Sequence, residues 1–298
     1  MSLSHRQKAA FADLGLLYAA AIWGATFFIV KEALAGIDAV IMVAYRFLIA
    51  GGILLVWLLI AKKPIFQNIK YSIPLAIMLW FLYVPQTLGL KYTTASNSGF
   101  ITGLFVAFVP IFLLTIFRRR PTVMEVIASV VSLLGLWILT GGLQYVNTGD
   151  LLTLVTAMAY ALHLLYADRF MKRGFDPYVF SCQQFLINGL LCVLTGLVFG
   201  LPFGITTDTA LWTVIFLGIF PTLTAFTIQM MAQKITSPLR VSLIFALEPV
   251  FAAAFAWTLG GEPFVLRRAA GGLLIALALA LSGLPSPKIS KRTVDPTA

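Results

Sequence analysis

The sequence predicts an all-α membrane protein of ten transmembrane helices, built as two inverted five-helix repeats with both termini in the cytoplasm. Three observations predict it. Only 11% of the 298 residues are charged while 60% are apolar, whereas a soluble domain is about a quarter charged. Charge-free stretches recur at close to the roughly 20 helical residues that a hydrocarbon core requires. Segments of the first half also return, in order, in the second.

Eight spans are stretches free of Asp, Glu, Lys and Arg: residues 14–30 (span 1), 71–90 (span 3), 92–117 (span 4), 126–149 (span 5), 151–167 (span 6), 177–207 (span 7), 209–233 (span 8) and 269–287 (span 10). Span 2, residues 38–61, is interrupted by Arg46, and span 9, residues 237–260, by Arg240 near its start and Glu248 near its middle. Lipid offers backbone amides no partner, and the period-2 alternation of a membrane barrel is absent, so each span must be helical. Span 1 follows a short basic tail without a small-residue cleavage site and is expected to remain in the mature protein. The expected organisation is a tail at 1–12, repeats at 13–142 and 149–284, and a second tail at 285–298.

The formal charge of +10 could point to nucleic acid, but its distribution points to the bilayer. With the N-terminus inside, 16 of 21 basic residues fall in cytoplasmic segments: Arg6 and Lys8; Lys62, Lys63 and Lys70; Arg118, Arg119 and Arg120; Arg169, Lys172 and Arg173; Lys234 and Arg240; Lys288, Lys291 and Arg292. The outer segments hold only Lys31, Lys91, Arg267 and Arg268. Basic residues retained on the cytoplasmic side are the signature that orients spans in a cytoplasmic membrane, here a bacterial inner membrane. The implied partners are the lipid bilayer and a small-molecule substrate, with no nucleic acid; oligomeric state is not legible. Cys182 and Cys192 lie ten residues apart on span 7, about 15 Å along one helix, too far for a disulfide and without metal-ligand spacing. They read as packing residues.

The repeat aligns Tyr45-Arg46-Phe47-Leu48-Ile49-Ala50-Gly51 of span 2 with Gln183-Gln184-Phe185-Leu186-Ile187-Asn188-Gly189 of span 7. Trp23 of span 1 aligns with Tyr160 of span 6, Gln86 and Lys91 of span 3 with Gln229 and Lys234 of span 8, and Arg120-Pro121 with Glu262-Pro263. Five spans per unit is an odd number, so the second copy enters the membrane from the opposite side. The junction at 141–149 is too short for a free linker, and the halves should pack across a pseudo-two-fold axis in the membrane plane, an arrangement that lets them exchange conformations about a central site.

Gly89-Leu90-Lys91-Tyr92-Thr93-Thr94-Ala95-Ser96-Asn97, then Leu104-Phe105-Val106 with Val109-Pro110, and in the second half Leu247-Glu248-Pro249-Val250 and Leu259-Gly260-Gly261-Glu262, resemble the EamA-type repeats of the drug/metabolite transporter superfamily. The resemblance covers residues 14–284. The first half departs from it, with Val109-Pro110 where the second has Glu248-Pro249 and Arg119-Arg120 where it has Gly261-Glu262. It implies ten helices, a cavity between two four-helix groups, spans 5 and 10 at the periphery, and export of amino acids, related metabolites or organic cations. The Trp23 and Tyr160 positions are similar to amino-acid exporters of the YddG type.

Ionisable groups deep in lipid cost about 2.5 to 3.5 kcal/mol each on insertion scales, so each needs a reason. Glu248 reads as a cation or proton site, or as a neutral carboxyl bonded to the carbonyl that Pro249 leaves free. Arg46 offers a fork for a substrate carboxylate, or snorkels toward the outer interface. Lys31 and Glu32 read as an interfacial pair. His163 lies one turn from Tyr160, so both can face one lumen, in contact with substrate or as packing. Gln86 and Gln229, as symmetry mates, either bind substrate or fasten helices. Trp23, Tyr83 and Tyr160 complete an expected substrate site that is mainly aromatic and nearly charge-free. Pro85, Pro110, Pro221 and Pro249 lie within spans 3, 4, 8 and 9 as hinges or as packing kinks. Gly51-Gly52 and Gly271-Gly272 are expected to permit close helix contact.

An intramembrane metalloprotease would need a second histidine near His163, and aspartyl chemistry a second central carboxylate; neither is present. No nucleotide-binding glycine loop appears, and no metal or cofactor is implied. The reading is therefore not an enzyme but a secondary transporter exporting small amphipathic metabolites, amino acids foremost, by alternating access. A multidrug or organic-cation exporter with proton exchange is the alternative, and an intramembrane enzyme or a structural or channel subunit stands behind it.

Overall fold

The computed structural model describes residues 4–142, 146–258 and 263–282. Among these residues there is no strand. Nine apolar helices of membrane-crossing length run Gln7–Ala33, Ala39–Ile60, Ile69–Gly89, Asn97–Thr115, Val123–Thr140, Thr148–Lys172, Pro177–Val198, Asp208–Ala232 and Pro238–Phe255. The helix Leu266–Ser282 supplies the tenth span with 17 residues. Glu262, Gly260 and Gly261, the middle of the junction and the C-terminal tail lie outside the described residues.

Polar residues at the ends start these helices. Asp38, Thr94, Thr207 and Ser237 each accept a hydrogen bond from a first-turn amide of spans 2, 4, 8 and 9, satisfying donors that the helix itself cannot. Thr122 with Glu125 and Asn147 with Asp150 form reciprocal capping boxes on spans 5 and 6. Span 5 stops earlier than its charge-free stretch suggests because Gly141 adopts φ +85°, a left-handed turn that favours glycine. Span 7 likewise ends at Val198 rather than residue 207. Gly200 turns at φ +62° and the Leu201 amide returns to the Gly196 carbonyl, so residues 199–207 form an uncharged connection that sequence alone could not separate from a span.

Four spans are not uniform. Span 1 is divided at Ala25 into His5–Gly24 and Thr26–Ala33, where Thr26 Oγ1 donates to the Trp23 carbonyl at 2.7 Å and competes with the helical ladder. Span 4 divides at Leu104 and span 9 at Ala246 and Leu247. Pro249 has no amide for the Phe245 carbonyl, which places the span 9 break one turn before it. Span 8 absorbs Pro221 in a π-helical stretch, Gly218–Phe226. Pro85 stays within one continuous helix.

Packing reproduces the inverted repeat. Spans 2 and 7 lie along each other, as do spans 5 and 10, while span 3 packs on span 6 as span 1 packs on span 8. On the 2–7 contact, a Cβ on Gly51 would lie 2.8 Å from the Leu186 side chain, and one on Gly189 would lie 2.8 Å from Leu48. These are mates in the sequence alignment, each glycine receiving the other half's leucine. An aromatic row crosses the same axis: Tyr83 to Phe47 at 5.0 Å, Phe47 to Phe185 at 5.6 Å and Phe185 to Phe226 at 5.6 Å between ring centroids. Read backwards, it is the same row in the other repeat. Gly135 and Gly271 bring spans 5 and 10 into backbone contact. Gly52 meets nothing within 4 Å, so the expectation of close contact fails for that half of the pair. Its side of span 2 points away from span 7.

Two ion pairs tie the halves at the end of the bundle carrying most of the basic residues: Arg240 to Asp13 at 2.7 Å and Lys63 to Asp176 at 2.9 Å. Burial works to raise the Asp176 carboxyl, but the Lys63 ammonium and the amides of Val179 and Tyr178 outweigh it and hold the group below its ordinary value. A depressed folded-state pKa contributes stability above the unfolded value near ~3.9 and loses it as pH falls through the folded value. Thermal unfolding in detergent should therefore fall more steeply below about pH 4 for the native protein than for Asp176→Asn. Gly51→Leu should destabilise by about 1–3 kcal/mol through overpacking, while Gly52→Leu leaves the same unfolding midpoint nearly unchanged.

Candidate functional site

The irregular parts of spans 1 and 9 meet at mid-membrane. Gly24 makes this possible, since a Cβ there would lie 2.5 Å from the Glu248 carbonyl oxygen. From that crossing a cavity extends toward the end of the bundle that carries Lys31 and Lys91. It is lined by Trp23, Arg46, Tyr83, Gln86, Tyr160 and Glu248, with Thr26, Thr87, Thr102 and apolar neighbours between them. Its volume is about 30 Å³, space for roughly two water molecules at 10–15 Å³ each.

Trp23, Gln86 and Arg46 are each held by a hydrogen bond to a neighbouring span. Trp23 Nε1 donates to the Pro221 carbonyl at 2.9 Å, using a carbonyl in the π-helical stretch. The Trp23 ring lies edge-on to Tyr160 at 6.3 Å and to Phe245 at 4.8 Å, joining the two halves where the sequence pairs these positions. Gln86 Nε2 donates to Thr102 Oγ1 at 3.0 Å. Arg46 does not reach the interface: it is only 4% exposed, Nε donates to Thr222 Oγ1 at 2.9 Å, and the guanidinium lies 4.7 Å over the Tyr83 ring. Snorkelling is thereby overturned, because Thr222 and the aromatic face offer partners inside the protein. Thr222 carries no signal in the sequence that would have assigned it this role.

The expectation of a nearly charge-free cavity is also corrected. Arg46 and Glu248 both line it, and among the described residues neither belongs to an ion pair. Tyr83 lies within electrostatic reach of both, and Tyr160 within reach of Glu248.

His163 and Gln229 do not line the cavity. His163 is fully buried with Nε2 2.7 Å from Gln184 Oε1 and its ring 5.3 Å from Phe226, one turn further toward the basic end than Tyr160. Gln229 is fully buried on the same side. Lys31 does not pair with Glu32: Nζ donates to the Thr93 carbonyl at 2.5 Å, as adjacent helical residues point in different directions. Of the four prolines, Pro221 and Pro249 abut the site through the Trp23 bond and the Glu248 turn, whereas Pro85 and Pro110 do not line the cavity. Cys182 and Cys192 are buried free thiols. Among the described residues no group of His, Cys, Asp and Glu could hold a metal ion.

The model of the EamA-like transporter family matches residues 10–141 and again 147–284. The chain belongs to the EamA-like transporter family. Relatives agree: an uncharacterized transporter of Archaeoglobus fulgidus is 28% identical over 281 residues, covering 93% of this chain and 87% of that protein. The uncharacterized transporter YyaM of Bacillus subtilis is 25% identical over 270 residues, covering 86% and 88%. A solved crystal structure has the same fold, with a TM-score of 0.76 over 91% of this chain and 96% of that one at 18% identity. This EamA-type chain is thus a multi-pass membrane transporter of the drug/metabolite superfamily, and the site just described is its candidate solute cavity.

Thr222→Val removes the acceptor for a buried cation, and thermal unfolding should report a loss of about 1–3 kcal/mol. In an Arg46→Met background the same change should cost much less, because the two residues share one interaction.

Proposed function

We propose that this EamA-type transporter exports small zwitterionic amphipaths, neutral and aromatic amino acids foremost, by alternating access around the central cavity. The observation that carries the reading is the joint presence of Arg46, Glu248 and the rings of Trp23, Tyr83 and Tyr160 around one cavity. A guanidinium donates two parallel hydrogen bonds to a carboxylate, a carboxylate accepts from an ammonium group, and aromatic faces cover an apolar side chain. The three together suit an α-amino acid of the kind handled by YddG-type exporters.

Alternating access is supported by the difference between the ends. The cavity lies toward the Lys31 and Lys91 end, while the basic end is bridged across the halves by Arg240–Asp13 and Lys63–Asp176. A space of about 30 Å³ is too small for an amino acid, so passage requires the halves to move apart around it. Cytoplasmic termini in a bacterial inner membrane follow from the basic-residue asymmetry. Proton-coupled export of organic cations is the second reading, favoured by Glu248 being the acid in this cavity.

Proteoliposomes holding only this protein test both readings with three solutes: phenylalanine, its decarboxylated amine and its deaminated acid. Phenylalanine flux above empty vesicles is expected, and absence of flux for all three would end the transport reading for this class. Tyr160→Ala should lower apparent affinity about tenfold, the ~1.4 kcal/mol expected of an aromatic contact. Arg46→Met should depress phenylalanine and the acid, sparing the amine. Preference for the amine over phenylalanine, with flux set by a pH gradient that Glu248→Gln abolishes, would favour cation exchange instead.

A further inference from the structure

Buried side-chain atoms without a partner are uncommon and call for an explanation. One, Tyr160 Oη, belongs to the cavity itself, others such as Ser98 Oγ and Asn188 Nδ2 lie elsewhere, and a group of four lies on the basic side of the cavity. Both amide atoms of Gln229, Nδ1 of His163 and Oε1 of Gln233 have no hydrogen-bond partner within the protein, although all three residues are fully buried. In lipid-embedded protein, where water cannot substitute, each unmade bond of this kind costs about 1–3 kcal/mol.

The pseudo-two-fold axis supplies the explanation. The aromatic row makes Tyr83 and Phe226 mates, 143 positions apart, so Gln86 is the mate of Gln229 and Leu90 that of Gln233. Trp23 and Tyr160 are mates 137 positions apart, so Thr26 corresponds to His163. Thr26, Gln86 and Leu90 all line the existing cavity. Their mates therefore occupy the equivalent positions facing the basic end, closed off by the contacts of Phe226 with His163 at 5.3 Å and with Trp23 at 6.2 Å.

We infer that His163, Gln229 and Gln233 line a second solute vestibule, collapsed in this conformation, which opens toward the basic end when the halves exchange conformations. Opening would expose the unpartnered atoms to solute and water. The vestibule differs from the cavity in chemistry. The mates of Arg46 and Glu248 are Gln184 and Val109, so the new surface presents amide and imidazole hydrogen-bonding groups without a fixed charge. It would take the polar head of the same amphipathic solute through neutral hydrogen bonds. This inference rests on the alternating-access reading.

Sided thiol labelling tests it. Single variants Gln86→Cys, Gln229→Cys and Gln233→Cys in proteoliposomes are treated with a membrane-impermeant maleimide from one face at a time; Arg120→Cys marks the basic face, and the native protein, whose two cysteines are buried, serves as the blank. Gln229→Cys and Gln233→Cys should label at least tenfold faster from the Arg120 face, Gln86→Cys from the opposite face, and phenylalanine should protect all three. Labelling of both basic-side variants from the Gln86 face, or from neither face in protein that carries phenylalanine flux, overturns the vestibule. Failure of the transport reading is separately visible as absent flux, and two-sided access would then stand or fall by the labelling alone.

Discussion

The contact on which the rest of this molecule depends is the reciprocal insertion of Leu48 against Gly189 and Leu186 against Gly51. Between helices in lipid the hydrophobic effect offers little, because a lipid tail is as apolar as leucine, and association relies on close van der Waals packing. Small residues permit that closeness. Placing the same glycine–leucine pair twice, in opposite directions, brings spans 2 and 7 together on the pseudo-two-fold axis and aligns Phe47 with Phe185 beside it. The positions of spans 1, 3, 6 and 8 follow, and with them the location of the cavity. A change at this contact is felt by both halves at once.

Symmetry of scaffold is combined with asymmetry of chemistry. At the position shared by Arg46 and Gln184, one repeat places a cation that bonds Thr222 and the other an amide that bonds His163. At the position shared by Val109 and Glu248, only the second repeat has an acid. One ionisable group is thus contributed by each half, and both line a single cavity. A fully symmetric molecule would duplicate both groups and place a second pair of costly ionisable side chains on the other side of the membrane core.

The spans were legible because lipid enforces a length and an absence of charge, and the repeat because Arg46-Phe47-Leu48 and Gln184-Phe185-Leu186 keep their register. The site was legible only in part. Gln86 and Gln229 are indistinguishable in sequence, yet one lines the cavity and the other is fully buried. Breaks at Ala25 and Leu104 carry no proline signal. At Ala25 the local bond from Thr26 Oγ1 to the Trp23 carbonyl coincides with the close approach of Gly24 to span 9. Thr222 was invisible because a threonine mid-helix normally bonds its own backbone, and its pairing with Arg46 exists only across 176 residues of chain. The uncharged connection at residues 199–207 was read as span for a simpler reason: no charged residue falls between Asp176 and Asp208.

The unpartnered atoms and the small cavity bear on the same energetic question. For a transporter to cycle, its two end conformations must lie within a few kcal/mol of each other, which a perfectly satisfied interior would oppose by making one of them far deeper. If the proposed alternating access holds, leaving Gln229, His163 and Gln233 partly unbonded raises the energy of the form with the closed basic end. The ion pairs Arg240–Asp13 and Lys63–Asp176 lower it, by modest amounts because each is partly exposed. At the other end Lys91–Asp38 lies within one half, while Thr93 Oγ1 donates to Asp150 Oδ1 and the Thr206 amide donates to the Gly36 carbonyl across the halves. On the alternating-access reading proposed above, the unmade hydrogen bonds and the ion pairs act in opposite directions on that balance.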